Sequence, residues 1–300
     1  MHVIETSRLT TSYGKNRGIV DVDLQVEPGE IFGFIGPNGA GKTTTIRTLL
    51  NFIFPDSGKA EIFGLDCIRK TSEIKRQIGY IPGEVNYYDN MRVRDLLAYA
   101  ASFHRNGAAQ QINPLSERFG LNLDQRIDAL SFGNKKKVAI VQALLHQPRL
   151  LILDEPTSGL DPLMQKRFFE LLQEENKAGT TIFFSSHILS EVERLCSRVA
   201  IIKDGRILKI ETIDRLKDKT YKKVSLHLYQ PIENEANPLS RMPGVSQIQQ
   251  ENQNLRFFYQ GDINLLLKEL TQIPLENIWL EEPSLEEIFL HEYEEGVDPA

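Results

Sequence analysis

The chain has 300 residues, 41% of them hydrophobic and 25% charged, the composition of an ordinary globular protein with room for about two domains. No apolar run approaches the roughly 18 to 20 residues that cross a bilayer, and Met1-His2-Val3-Ile4-Glu5 has neither the basic start nor the apolar core of an export signal, so neither a membrane span nor secretion is expected. The 35 Lys and Arg against 41 Asp and Glu give −6, but ten of those acids follow Lys268, the last base; residues 1–268 are therefore net positive, and the acidic end reads as a solvated face or a frayed terminus.

Val3 to Leu9 and Ile19 to Val26 read as β-runs, followed by a Glu27-Pro28-Gly29 turn and the wholly apolar Ile31 to Ile35, a strand buried on both faces of a parallel sheet. Gly36 to Gly41 is a loop, and Lys42 to Phe52 the helix after it. From Val93 to Leu145 the periodicity becomes helical, with Leu96, Leu97, Tyr99, Ala100 and Phe103 expected on one face. Sheet character returns at Leu150 to Leu153, Thr181 to Ser185 and Val199 to Ile202, with a helix at Pro162 to Lys177, the alternation of a parallel α/β core. The two cysteines, Cys67 and Cys196, fit a reducing compartment as packing thiols.

A domain boundary falls near Asp218 to Lys222. Beyond it Val224, Leu226 and Leu228 alternate with polar residues, Leu255 to Tyr259 forms another strand, Asp262 caps a helix with Leu265, Leu266, Leu267 and Leu270, and Ile278 to Leu280 is a further strand. Ser284 and Glu287 have capping-box spacing for a last helix through Tyr293. The expected organisation is residues 1–218 as one domain, with a helical subdomain at about 93–145, and residues 219–300 as a small α+β domain. No internal repeat or low-complexity segment is evident.

Gly36-Pro37-Asn38-Gly39-Ala40-Gly41-Lys42-Thr43 matches the P-loop pattern in full. Its glycines let backbone N–H groups turn toward phosphates, Lys42 reaches the β- and γ-phosphates, and Thr43 offers a hydroxyl to Mg²⁺. Asp154 and Glu155 end the apolar run Leu150 to Leu153, and alternate side chains of a strand point opposite ways. Asp154 is thus expected to hold Mg²⁺ and Glu155 to orient the attacking water. His187 follows another apolar strand, Ile182-Phe183-Phe184, after Ser185-Ser186, where an imidazole can donate to the γ-phosphate; a structural histidine is the blander reading. Leu130-Ser131-Phe132-Gly133-Asn134 opens a helix with a hydroxyl and a backbone N–H suited to phosphate. Lys135 to Lys137 follow in its first turns, where they oppose the helix dipole. Nearby anion binding accounts for them, and so does a solvated basic face.

Together these residues resemble the ATP-binding cassette (ABC) ATPases over about residues 3–215. The resemblance implies a P-loop NTPase fold of the α/β class, with a RecA-like core, an antiparallel β subdomain and the helical subdomain, plus the C-terminal α+β domain. It makes Lys42, Glu155 and His187 the catalytic set and Thr43 and Asp154 the Mg²⁺ ligands. ATP would be bound by Tyr13, which stacks on adenine, Gly36, Pro37, Asn38, Gly39, Ala40, Gly41, Lys42, Thr43, Thr44, Ser131, Gly133 and Asp161, the last in the D-loop Ser158-Gly159-Leu160-Asp161. Two positions depart from the family pattern. The signature usually has two glycines and a glutamine where this chain has Phe132, Gly133 and Asn134, and Gly83 stands where the family generally has a glutamine linked to Mg²⁺, leaving Glu84 as a neighbour for that role.

The resemblance further implies a subunit on the cytoplasmic face of the membrane that hydrolyses ATP at a dimer interface, with a second copy or a paralogue, and drives a separate membrane-spanning permease docked near residues 83–100. The C-terminal Pro283 to Leu290 is similar to the closing helix of exporters of drug, antibiotic, lipid or polymer type. Two alternatives stand beside this. One is a regulatory nucleotide-binding module with weak hydrolysis, motivated by Gly83 and Phe132. The other is a soluble non-transport ABC ATPase; the single cassette and the absence of a long coiled coil between Lys42 and Ser131 count against it, and no nucleic-acid partner is expected.

Overall fold

The computed structural model describes residues 1–13, 16–87, 90–104, 107–217, 221–232, 238–283 and 287. The chain divides into two units, Met1–Ile213 and Asp214–Ala300. In chain order the first contains β1 (Ile4–Tyr13), β2 (Asn16–Val26), β3 (Ile31–Ile35), α1 (Lys42–Leu49), β4 (Ser57–Ile62), β5 (Leu65–Asp66), α2 (Thr71–Lys75) and β6 (Ile78–Ile81). There follow α3 (Val93–Ser102), α4 (Ile112–Arg118), α5 (Phe132–Leu144), β7 (Leu150–Asp154), α6 (Pro162–Lys177), β8 (Thr181–Ser186), α7 (Leu189–Leu195), β9 (Arg198–Lys203) and β10 (Arg206–Thr212).

The central sheet has the order β10-β9-β3-β8-β7-β6. Its inner strands are parallel, and only β10 runs antiparallel, on β9. Every residue of β3, β7 and β8 is buried, which is why those strands read as unbroken apolar runs instead of alternating. A second sheet, β2-β1-β4-β5, is antiparallel throughout. The fold is the mixed α/β P-loop architecture expected from the sequence.

Two local expectations need correction. The helix after the loop stops at Leu49 instead of Phe52, because Asn51 adopts a left-handed φ of 53° and the Phe52 N–H closes back on Arg47 O at 2.8 Å, a six-to-one closure typical of a helix end. In α3 the buried face is Val93, Leu96, Leu97 and Ala101. Tyr99 and Phe103 instead project outward, 57% and 63% exposed, with ring centroids 4.9 Å apart in an edge-on pair. The i and i+4 spacing that suggested a core stripe holds, but it belongs to a second, outward stripe.

The described part of the second unit is an antiparallel sheet, in the order β12-β13-β11-β14, with two helices. Its elements are α8 (Ile213–Lys217), which straddles the division, β11 (Tyr221–Leu228), β12 (Val245–Glu251), β13 (Asn254–Gln260), α9 (Ile263–Leu270) and β14 (Leu275–Glu281). Val224, Leu226, Leu228, Leu255, Phe257, Tyr259, Leu266 and Leu270 form its own core. Asp262 caps α9 by accepting from Asn264 N at 2.9 Å, as its position before the leucine-rich stretch suggests. The helix expected from Ser284 to Tyr293 lies outside the described residues, apart from Glu287.

Candidate nucleotide site

The loop after β3 is shaped by close packing. A Cβ on Gly36 would lie 2.4 Å from the backbone oxygen of Ile202, and Gly39 and Gly41 have φ of 82° and 112°, conformations that favour glycine. Lys42, 5% exposed, turns its ammonium back into the loop and donates to Gly36 O at 2.7 Å and Pro37 O at 3.1 Å. The same Nζ lies 3.2 Å from Glu155 Oε1. A buried cation so placed requires negative partners, and phosphate oxygens entering the loop would meet it.

β7 delivers the two carboxylates. Asp154 Oδ1 accepts from Thr43 Oγ1 at 3.2 Å and from Ser185 Oγ at 3.1 Å. Burial lifts the Asp154 carboxyl above its ordinary range, and the two hydroxyls and Lys42 act against that rise. Glu155 sits at a φ of 46°, a left-handed turn at the end of the strand. Its second oxygen, Oε2, lies 3.3 Å from His187 Nδ1, and its N–H donates to Ser185 O at 3.1 Å. Lys42, Glu155 and His187 thus form one chain of contacts.

Thr43 and Asp154 supply a hydroxyl and a carboxylate oxygen, hard donors of the kind that hold Mg²⁺ beside phosphate oxygens and water. Among the described residues no group of three or more His, Cys, Asp or Glu could hold a metal ion. With one hydroxyl and one carboxylate oxygen converging, the residues present fit a Mg²⁺ whose remaining ligands would be phosphate and water oxygens.

Some of the remaining expected residues border this network and others do not. Asn38, Thr43, Asp154 and Glu155 line a cavity of about 840 Å³ together with Gly83, Glu84, Leu130, Phe132 and Lys135. Ser131 is the N-cap of α5, accepting from Asn134 N at 3.3 Å, and Asp161 is the N-cap of α6, accepting from Met164 N at 3.0 Å. A Cβ on Gly133 would lie 2.8 Å from Gly159 O, and one on Gly159 2.3 Å from the Phe132 ring, so the Ser131 to Gly133 turn and the Ser158 to Asp161 loop are packed together. Thr44 O accepts from Thr48 Oγ1 inside α1. Tyr13, 42% exposed, pairs with Asn16 at the open end of β1 and β2. Among the described residues no hydrogen bond or ion pair joins Tyr13, Ser131, Gly133 or Asp161 to Lys42, Glu155 or His187.

Gly83 leaves space beside the Asp154 carboxylate: a Cβ there would sit 3.5 Å from Asp154 O and 3.8 Å from Asp154 Oδ2, ordinary contact distances. The reading of Lys135 to Lys137 as an anion-binding group does not hold for Lys136. That residue is fully buried and donates to Pro82 O at 2.9 Å, Gly83 O at 3.1 Å and Glu155 O at 3.2 Å. Burial lowers its ammonium to about 8, with Asp154 and Glu155 opposing the shift. Its place was legible, since Ala139, Ile140, Ala143 and Leu144, at i+3, i+4, i+7 and i+8, are all buried. Ser185, the other contributor not expected from the sequence, gave no signal beyond its place at a strand end.

Residues 19–158 match the ABC transporter family, and residues 212–293 match the C-terminal domain of DrrA1-3-like ATP-binding proteins. The chain is 40% identical over 232 residues to the bacitracin transport ATP-binding protein BcrA of Bacillus licheniformis, covering 75% of each protein. It is 29% identical to the linearmycin resistance ATP-binding protein LnrL of Bacillus subtilis, over 96% of this chain and 97% of that one. Among solved structures, the ATP-binding subunit of an ABC transporter superposes with a TM-score of 0.68 at 33% identity, over 72% of this chain and 92% of the other.

Proposed function

The chain belongs to the ABC transporter ATP-binding proteins, which makes it a nucleotide-binding ATPase subunit, and we propose that it powers an exporter by hydrolysing ATP between two copies or between itself and a paralogue. The contact chain Lys42, Glu155 and His187 carries this reading, because it gathers at one point a phosphate cation, a carboxylate for the attacking water and an imidazole. Lys42 exchanges its carbonyl partners for β- and γ-phosphate oxygens. Glu155 accepts a hydrogen bond from water and polarises it toward phosphorus, while His187 steadies both the carboxylate and the γ-phosphate. Thr43 and Asp154 hold Mg²⁺, which when bound neutralises phosphate charge. Gly36 to Thr44 cradle the phosphates, Tyr13 stacks on adenine, and Ser131, Gly133 and Asp161 serve the nucleotide across the dimer.

The exporter assignment is supported by relatives named for bacitracin transport and linearmycin resistance. No described helix is long and apolar enough to cross a membrane, so the membrane path is assigned to a separate permease, with this chain on its cytoplasmic face. The exposed pair Tyr99 and Phe103, within and just beyond the segment 83–100, is the surface we assign to the permease.

Glu155→Gln tests the chemistry. The variant is expected to bind Mg-ATP and run as a dimer on size exclusion, with turnover lowered about a thousandfold or more. Turnover like the wild type would overturn the assignment of Glu155. Wild-type protein that binds ATP but shows no hydrolysis, with or without a permease, would favour the regulatory reading.

A further inference from the structure

We infer that Lys136 is a positioning residue for hydrolysis, which fixes the backbone of Glu155 and ties it to the Pro82-Gly83 segment; the inference rests on the reading of Glu155 given above. β6 and β7 are parallel neighbours, Ile81 facing Leu153, so Pro82-Gly83 and Glu155 leave the sheet side by side. Both chains must turn there, and their carbonyls lose the sheet ladder as partners. A single ammonium, fully buried, accepts that task for three of them: Pro82 O, Gly83 O and Glu155 O, at 2.9, 3.1 and 3.2 Å.

The geometry is specific to chemistry in two respects. Glu155 occupies a left-handed φ of 46°, a conformation costly for a side chain-bearing residue, and it is this turn that points the carboxylate at Lys42 and His187. Lys136 bonds the carbonyl of that same residue, so it holds the strained peptide whose orientation sets the carboxylate. Gly83 has no side chain, and a Cβ there would come within 3.5 Å of Asp154 O; among the described residues the polar link from its backbone to α5 is its carbonyl on Lys136. A shift of the Pro82-Gly83 segment is therefore passed through Lys136 to Glu155, and one of Glu155 is passed back. A buried lysine satisfying carbonyls alone is a costly way to fill space, which an apolar side chain would do better if packing were the only demand.

The test uses the full-length chain, with Lys136→Met and Lys136→Gln made beside Glu155→Gln. ATP-binding sites are titrated with a fluorescent ATP analogue, and hydrolysis is followed both as steady-state kcat and KM and as single turnover of radiolabelled ATP with protein in excess. Both Lys136 variants are expected to hydrolyse about 10- to 100-fold more slowly per occupied site, with KM for ATP within about twofold of the wild type. A merely structural role would lower the number of binding sites and leave turnover per site unchanged, and that result overturns the inference, as does wild-type kcat in both variants. If Met at 136 prevents folding, the Gln variant, which keeps amide donors but lacks the reach and charge, decides the matter by the same split. Loss of turnover in Glu155→Gln with normal turnover in the Lys136 variants sinks this inference alone, whereas normal turnover in Glu155→Gln sinks the reading on which it rests.

Discussion

Glu155 is held by opposing demands. Its backbone is strained at φ 46°, while its carboxylate is shared by Lys42 and His187; neither arrangement would persist unless the surroundings over-determined it. Asp154, one residue earlier, is in regular strand geometry and buried against two hydroxyls. Adjacent carboxylates therefore take different work because one is the last residue of the strand and the other the first of the turn. The same logic sets the tolerance of the loop. Gly36→Ala would force a methyl to 2.4 Å from Ile202 O, and because that obstacle is backbone it cannot swing aside. The substitution is expected to destabilise by about 1–3 kcal/mol and to weaken ATP binding, checked by urea unfolding and nucleotide titration; unchanged values in both would show that the loop is not packed as described.

At the scale of elements, α5 links the site to the helical region. Its N-cap, Ser131, packs near the Gly159 loop, its second turn carries Lys136 under the strand ends, and His146 follows its last turn. The His146 ring stacks on His104, just beyond α3, at 3.8 Å and 16°. Burial lowers His146 to about 4, and the nearby His104 adds to the effect while a bond with Ile78 O opposes it. Between about 6.5 and 4 the unfolded chain therefore binds more protons at this position than the folded one. Stability from this contact is present above that window and is lost as pH falls through it. His146→Phe is expected to flatten the fall of the melting temperature between pH 7 and 4.5; an unchanged slope would remove the pair from the account. Tyr99 and Phe103 belong to the same region but face outward. Replacing both with Ser should leave basal ATPase activity intact and abolish the increase a permease produces in vesicles. An increase equal to that of the wild type would place docking elsewhere.

Much of this was legible in the sequence because fully buried strands leave continuous apolar runs and the loop motif depends on fixed spacings. β3, β7, β8 and the residues Lys42, Thr43, Asp154 and Glu155 all declare themselves in that way. What stayed hidden depended on partners distant in the chain. Nothing near Ser185 announces a bond to Asp154, and although the apolar residues at i+3, i+4, i+7 and i+8 put Lys136 on the covered face of its helix, the carbonyls it reaches, at Pro82, Gly83 and Glu155, lie on other segments of the chain. The α3 faces were confused because two hydrophobic stripes at helical spacing look alike until one is covered. β4, β5 and β12, whose burial is mostly partial, have no apolar run to mark them.

At the scale of the molecule, each unit has a core of its own. Residues 1–217 are accordingly expected to fold alone and to bind ATP within about threefold of the full chain, as measured by nucleotide titration; loss of binding would make the C-terminal unit part of the nucleotide site. The central claim is larger, that each ATP is shared between the loop around Lys42 on one copy and the Ser131 turn on another. Mixing two inactive variants tests it most directly. Lys42→Ala lacks the phosphate cation, and Ser131→Arg blocks the lent turn, but a mixed dimer contains one site with both parts intact. Hydrolysis is expected to be nearly absent in either variant alone and to return when they are mixed. A Ser131→Arg protein that hydrolyses ATP at the wild-type rate by itself, or a mixture no more active than its components, would contradict the shared site.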